Sequence, residues 1–294
     1  MKKLTFALFG NPFQAKKSAS VQKLLSLLEE RQAALQIDEA FYRFLTTDLR
    51  IAMPTSVRVV ADDSFDANVL ISMGGDGTFL EAARRVGDKQ IPILGVNMGR
   101  MGFLADVLPE DIEAVVQQIY DGDYHVEERS LLQLEYDKGQ PEGYPYALNE
   151  VAVLKRDVSS MISIRVDING EYLTTYQADG LIINTPTGST GYALSVGGPV
   201  MQPGSRTLGL VPVAPHSLTV RPVTLTDDAV ITLTVASRNH RFLVSIDGRS
   251  EKCSEDVHLT IRRAPYMIKV LKRPGQNFFR TLRTKLMWGT DVRE

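Results

Sequence analysis

The chain has 294 residues, 44% of them hydrophobic and 23% charged, an ordinary globular composition with room for two medium domains. A formal net charge of -2 gives no overall basic field of the kind that holds nucleic acid or an anionic membrane, so neither is expected as a partner. One cysteine, Cys253, cannot close an internal disulfide, and the four histidines fall in no H-E-x-x-H spacing, which leaves no zinc motif and fits a reducing compartment.

Met1-Lys2-Lys3 ahead of Leu4 to Phe9 has the outline of a signal peptide. The apolar run stops at Gly10-Asn11-Pro12, however, and its length predicts a first buried strand instead. No stretch approaches the roughly 18 apolar residues of a membrane span, and a cytoplasmic location is expected. From Leu4 to Tyr120, apolar runs of strand length alternate with helical periods, the pattern of a layered α/β, Rossmann-like domain around a mostly parallel sheet. Val21, Leu24, Leu25 and Leu28 share one helical face, Asn68 to Met73 and Ile91 to Val96 read as buried strands, and Ile112, Val115, Val116 and Ile119 mark a further helix. This first domain is expected over 1-123.

Over 124-272 helical periodicity nearly vanishes and short β-rich runs follow one another, predicting a sandwich of two sheets. Ile162 to Ile168, Asn169-Gly170 and Glu171 to Gln177 read as a hairpin with a tight turn. Further strands are expected at Leu208 to Val213, Ala229 to Val235, Phe242 to Ile246, Val257 to Ile261 and Met267 to Leu271. In the last segment, 273-294, Phe278, Phe279, Leu282 and Leu286 recur at helical spacing with Arg280, Arg283 and Lys285 on the polar side. The apolar content of this helix, with Trp288, predicts that it packs back on the first domain.

Three segments carry chemistry. The strand Asn68 to Met73 empties into Gly74-Gly75-Asp76-Gly77-Thr78, and Phe79 to Val86 can follow as a helix. Glycines allow a sharp turn and close approach, and a helix N-terminus favours an anion, so Gly74, Gly75, Gly77 and Thr78 are candidates for a phosphate cradle. Asp76 could accept a hydroxyl proton or help to hold a metal; the plainer reading is a glycine-rich turn with Asp76 capping its helix. The segment is neither G-x-x-x-x-G-K-[ST] nor G-x-G-x-x-G. The second, Asp179 to Tyr192, is a strand running into a turn dense with hydroxyls and glycines, where Thr187, Ser189, Thr190 and Ser195 offer neutral hydrogen bonds and Tyr192 a ring for a base. A bulge rich in turn formers is the alternative, and no G-x-S-x-G elbow is present. The third is Asn149-Glu150, paired acceptors suited to a ribose, although polar residues entering a strand are common.

In this order, Gly74-Gly75-Asp76-Gly77-Thr78, Asn149-Glu150 and Thr185-Pro186-Thr187-Gly188-Ser189-Thr190 resemble the bacterial NAD kinase family, with Gly197-Gly198-Pro199 and Ala214 to Leu218 also similar. The resemblance covers most of the chain. It implies transfer of phosphate from ATP, another nucleoside triphosphate or polyphosphate to the adenosine 2′-hydroxyl of NAD, giving NADP, with Mg²⁺ assisting and Asp76 as proton acceptor. It further implies that Asn149 and Glu150 hold the adenosine part, and that Thr190, Gly191, Tyr192 and Ser195 line the dinucleotide site together with Gly77. Asp179 would lie near the nicotinamide half, and Ala214 with the neighbourhood of Asp247-Gly248-Arg249 would complete the walls. A homo-oligomer, typically a homotetramer, is also implied. Two positions depart from the family pattern: Gly191 stands for the usual alanine, and Gln177 stands where many members carry a basic residue. A lipid kinase and a catalytically silent dinucleotide sensor are the competing readings.

Overall fold

A computed structural model describes residues 3–11, 18–54, 56–99, 102–157 and 160–290. Met1, Lys2 and Pro12, which frame the first predicted strand, lie outside them. The chain divides into two compact units, Met1–Glu128 with Ile268–Glu294, and Arg129–Met267.

In the first unit, β1 (Thr5–Gly10), β2 (Ala34–Asp38), β3 (Val57–Val60), β4 (Val69–Gly74) and β5 (Ile93–Asn97) run parallel in the order β3-β2-β1-β4-β5. Every residue of β4 and β5 is buried, as befits parallel strands covered on both faces. Cover comes from α1 (Ser18–Glu30), α2 (Glu39–Arg43), α3 (Asp76–Val86) and α4 (Ile112–Asp121). The helical faces predicted from spacing, Val21, Leu24, Leu25 and Leu28 on α1 and Ile112, Val115, Val116 and Ile119 on α4, share one core with Phe6, Leu8, Ile71 and Val96. Strand order reverses at the β1/β4 pair, and in open α/β sheets ligands bind beyond the carboxyl ends of the strands at such a point. The turn Gly74 to Thr78 leaves the carboxyl end of β4 at that position.

The second unit is entered along β6 (His125–Tyr136), followed by β7 (Tyr146–Ala147), β8 (Glu150–Lys155), β9 (Ile162–Ile168), β10 (Glu171–Ala178) and β11 (Gly180–Asn184). It continues with β12 (Thr207–Val213), β13 (Val223–Thr226), β14 (Ile231–Ala236), β15 (Arg241–Ile246), β16 (Arg249–Ser254) and β17 (Leu259–Lys272). One antiparallel sheet has the order β13-β12-β11-β8-β15-β16, and the other runs β10-β9-β14-β17. Ile164, Val166, Ile231 and Leu233 of one sheet meet Leu181, Ile183, Leu210 and Val244 of the other in a single core, which makes this unit a sandwich. Asn169 and Gly170 have φ of 54° and 84°, the left-handed pair that the tight β9–β10 turn requires.

One expectation is corrected, and the C-terminal segment joins the first unit as expected, with a difference in which side chains are buried. The strands expected at Val257 to Ile261 and Met267 to Leu271 are parts of one long strand, β17, which begins at Leu259 and leaves Val257 and His258 outside it; its Ile261 pairs with Ile231 of β14 and its Val270 pairs in parallel with Ile93 of β5. Arg262-Arg263-Ala264-Pro265 breaks the apolar pattern, yet the backbone stays extended through it. The tail forms α6 (Phe278–Leu286), but Phe279 and Trp288 remain 54% and 56% exposed while Leu282 is buried. The helix is therefore seated by the face bearing Leu282 and the half-buried Phe278, while Phe279 and Trp288 face outward.

Candidate functional site

The helix α3 starts at Asp76, three residues before its apolar period begins. Asp76 thus occupies the first turn, where the helix dipole favours a carboxylate. It does not cap its own helix. Its Oδ2 accepts from the backbone N–H of Phe103 at 2.7 Å, and its Oδ1 accepts from Leu104 at 2.9 Å and Ala105 at 3.1 Å. Three donors fix the orientation of the carboxylate. The loop comes this close only because residue 102 is glycine: a Cβ there would stand 1.9 Å from Asp76 Oδ1. A Cβ at Gly74 would stand 2.1 Å from Oγ1 of Thr78, a buried hydroxyl without a hydrogen-bond partner among the described residues. At Gly77 an added Cβ would meet nothing within 4 Å, so this glycine marks the open side of the turn. The first N–H groups of α3, beside one fixed carboxylate, suit an anion and a hydroxyl.

In the second unit, Asn184 at the end of β11 pairs with Glu150 at the start of β8. The segment beyond β11 is a 3₁₀ turn over Thr187–Thr190 followed by the short helix α5 (Tyr192–Ser195), where the sequence suggests an irregular loop. It is stitched to the chain before β8. Thr185 donates its N–H to the Asn149 carbonyl at 2.9 Å and its hydroxyl to the Leu148 carbonyl at 2.6 Å, and a Cβ at Gly188 would lie 2.1 Å from the Asn149 carbonyl. From the other side Asp247, left-handed with φ 47°, accepts the N–H groups of Leu148, Asn149 and Glu150 at 2.7, 2.9 and 3.0 Å. This threefold grip fixes the turn that carries Asn149 and Glu150.

Asn149 Oδ1 and Glu150 Oε2 are both buried and without a hydrogen-bond partner among the described residues. Burial, and after it the Asp247 carboxylate, push the Glu150 pKa up to about 7, while the Tyr192 N–H favours the ionised form. Buried unpaired acceptors are costly. A ligand that brings donors, such as sugar hydroxyls or the amino group of a base, would satisfy them.

The other predicted residues fall into two groups. Gly191 and Tyr192 lie beside Glu150: a Cβ at Gly191 would approach Glu150 Oε2 to 3.0 Å, and Tyr192 is 38% exposed. Thr190 and Ser195 turn their hydroxyls onto the carbonyls of Thr187 and Tyr192, at 3.3 and 2.8 Å. Arg249 donates to the carbonyls of Tyr144 and Tyr146 at 2.9 and 3.1 Å, bracing the approach to β8. Asp179 and Ala214 sit together at the opposite end of β11, roughly 16 Å away at strand rise. There the Asp179 N–H donates to Val213, its carboxylate pairs with Lys155 at 2.7 Å, and Ala214 adopts φ 45°. Gln177 donates to the Ser163 hydroxyl at 2.9 Å. Sequence reasoning misses the Gly102 to Ala105 loop, because backbone donors leave no side-chain signature. It also places Lys285 with the solvent-facing cations, whereas its ammonium is buried. Among the described residues no three His, Cys, Asp or Glu side chains converge as metal ligands, and no helix is long and apolar enough to cross a membrane.

Comparison with known proteins matches residues 7–124 to the ATP-NAD kinase N-terminal domain and residues 148–273 to the ATP-NAD kinase C-terminal domain. A NAD kinase of Bacteroides fragilis is 59% identical over 295 residues, covering 99% of this chain and 100% of that protein. One of Porphyromonas gingivalis is 42% identical over 293 residues, covering 100% of both. Among solved structures, a NAD kinase from Archaeoglobus fulgidus in complex with ATP aligns with a TM-score of 0.74 at 25% identity, over 96% of this chain and 98% of that one. Yeast NADH kinase complexed with NADH shares the fold with a TM-score of 0.88 at 20% identity, over 100% of this chain and 90% of that one.

Proposed function

The chain belongs to the ATP-NAD kinase family, and from that premise we propose that it phosphorylates the adenosine 2′-hydroxyl of NAD with ATP, giving NADP and ADP, with Asp76 as proton acceptor. The observation that carries this reading is the pair of buried acceptors without partners, Asn149 Oδ1 and Glu150 Oε2, on a turn that Asp247 and the Thr185 to Gly188 segment hold rigid. Glu150 accepts from the ribose and Asn149 from the adenine edge, with Tyr192 against the base and Gly191 leaving room beside the carboxylate. Thr190 and Ser195 keep the short turns in shape, Arg249 braces the wall, and Asp179 with Ala214, a strand length away, meets the nicotinamide half.

In the transfer the 2′-oxygen attacks the γ-phosphorus, the bond from phosphorus to the β,γ-bridging oxygen breaks, and ADP leaves with that electron pair. The hydroxyl proton passes to Asp76. Oδ2 of Asp76 accepts one N–H where Oδ1 accepts two, so Oδ2 is the atom with a lone pair to spare. The donor phosphates rest on Gly74, Gly75, Gly77, Thr78 and the first N–H groups of α3. Positioning of this kind is most of what phosphoryl transfer asks of a protein. Magnesium is expected with the nucleotide. The described residues offer it no converging cage and Asp76 is already engaged, so the ion fits as one carried by phosphates and water, and no step is drawn through it. A homo-oligomer in the cytoplasm, with polyphosphate as a second possible donor, completes the proposal.

The test is NADP formation from NAD, ATP and Mg²⁺, read with an NADP-specific dehydrogenase, beside Asp76→Asn. Turnover in the variant is expected to fall about 1,000-fold or more with NAD affinity kept. The absence of NADP with either ATP or polyphosphate would overturn the reaction, and undiminished turnover in the variant would remove Asp76 from it.

A further inference from the structure

The helix α6 carries three basic residues in its sequence, Arg280, Arg283 and Lys285. Arg280 and Arg283 are exposed, as a polar helix face should be. Lys285 is different. It stands at helical spacing from Phe278 and Leu282, on the seated face, and its Nζ is buried without a hydrogen-bond partner among the described residues. That nitrogen lies over the ring of Phe103, 5.6 Å from its centroid. Phe103 is the residue whose N–H holds Asp76 Oδ2, so one residue supports both the proposed base and this cation. Burial depresses the Lys285 pKa and Lys272 adds to that, while the carboxylates of Asp106 and Asp76 oppose it. Those two carboxylates are committed elsewhere: Asp106 pairs with Lys272, both almost fully buried, and Asp76 accepts its three backbone N–H groups.

An ammonium taken out of water and left without an acceptor is a group that a packed interior does not retain without cause. Lysine offers three donors on a compact charge, which suits the oxygens of a phosphoryl group. Lys285 lines a polar cleft of about 420 Å³ together with Arg273, Asn277, Thr281 and Thr284 and with the carboxylates of Asp106 and Asp111, the latter paired with Arg273.

Building on the kinase reading above, we propose that Lys285 is a second catalytic residue, binding the non-bridging oxygens of the phosphoryl group as it moves from ATP to the 2′-oxygen whose proton Asp76 accepts. The lysine stays protonated throughout and exchanges no proton. The same group, before transfer, is the γ-phosphate of ATP and, after it, the 2′-phosphate of NADP. Lys285 therefore acts on turnover and on NADP affinity, and leaves NAD affinity alone.

The experiment compares the full-length wild type with Lys285→Met and Lys285→Arg for kcat, for KM of NAD and ATP, for NADP and NAD affinity by calorimetry, and for melting temperature. Methionine keeps the apolar stem over Phe103 and removes a buried charge, so its melting temperature is expected to hold or rise. Its kcat is expected to fall about 100-fold or more, the scale of one lost transition-state donor, with KM for NAD within about twofold and NADP binding weakened about tenfold. Lys285→Arg is expected to restore at least a tenth of the lost turnover. Undiminished kcat in Lys285→Met overturns the proposal. So does a loss in which NAD affinity and melting temperature fall together in both variants, since that marks a merely structural lysine. A wild type that makes no NADP would instead retire the kinase reading itself, so the two failures are distinguishable.

Discussion

Glu150 and Asp76 are carboxylates held in opposite ways. Asp76 meets three backbone donors, whereas Glu150 is buried near a second carboxylate and keeps one oxygen without a partner. The consequence for Glu150 is a pH dependence of definite sign. Its pKa rises from 4.5 in an unperturbed chain to about 7 in the fold. Below the lower value both states hold the proton, and the neutral carboxyl contributes its full stability. As pH climbs from there through about 7 that contribution is lost, roughly 3 kcal/mol in all. Binding runs the other way, because the ionised group is the stronger acceptor for a ribose hydroxyl. In the wild type KM for NAD should therefore fall as pH rises from about 6 to about 8, and Glu150→Gln should level that slope. A flat wild-type profile would take Glu150 off the ribose. At this scale the sequence is half legible: Asp76, Asn149 and Glu150 are visible as polar residues at strand ends. The partners of Asp76, Phe103 to Ala105, act through backbone N–H groups, which no side-chain pattern reports.

Elements were read best where one period governs them. The faces of α1 and α4 and the strands β4 and β9 follow from spacing alone. The 3₁₀ turn and α5 after β11 do not, since Thr187 to Ser195 holds turn formers with no apolar period, and what shapes it is distant: Thr185 and Gly188 against Leu148 and Asn149. The two halves of β17 looked separate because Arg262 to Pro265 interrupts the apolar pattern, while the strand pairs with β14 at Leu259 to Ile261 and with β5 at Val270. For α3 the decisive contact is also remote. Arg85, in its last turn, is buried, pairs with Asp38 and Asp63, and lies over Phe9, while Asp38 also caps α2 through the Phe41 N–H. Arg85→Met strands the Asp38 carboxylate, which is largely buried, and should lower stability by about 3 kcal/mol in urea unfolding. A loss under about 1 kcal/mol would mean that the pair is effectively solvated.

Across the whole molecule, the switch from alternating helix and strand to β-rich texture near residue 124 was legible because parallel and antiparallel sheets bury their strands differently. What the texture could not reveal is that β17 returns the chain to the first unit at Ile268, bringing α6 and Lys285 with it. Tyr192 is proposed to bind NAD and Asp76 to accept the proton, so affinity and turnover should be separable by substitution. A ligand that binds only the folded chain stabilises it by RT ln(1 + [L]/Kd), about 2.7 kcal/mol at a hundredfold excess over Kd. At about 2–4 °C per kcal/mol for domains of 150–250 residues, NAD should raise the melting temperature by roughly 5–10 °C. Asp76→Asn should keep that shift while losing turnover. Tyr192→Ala should lose much of the shift through absent stacking and retain catalysis at saturating NAD. If Tyr192→Ala leaves the NAD shift intact, the base does not rest on α5. If Asp76→Asn abolishes the shift, Asp76 serves binding before it serves proton transfer.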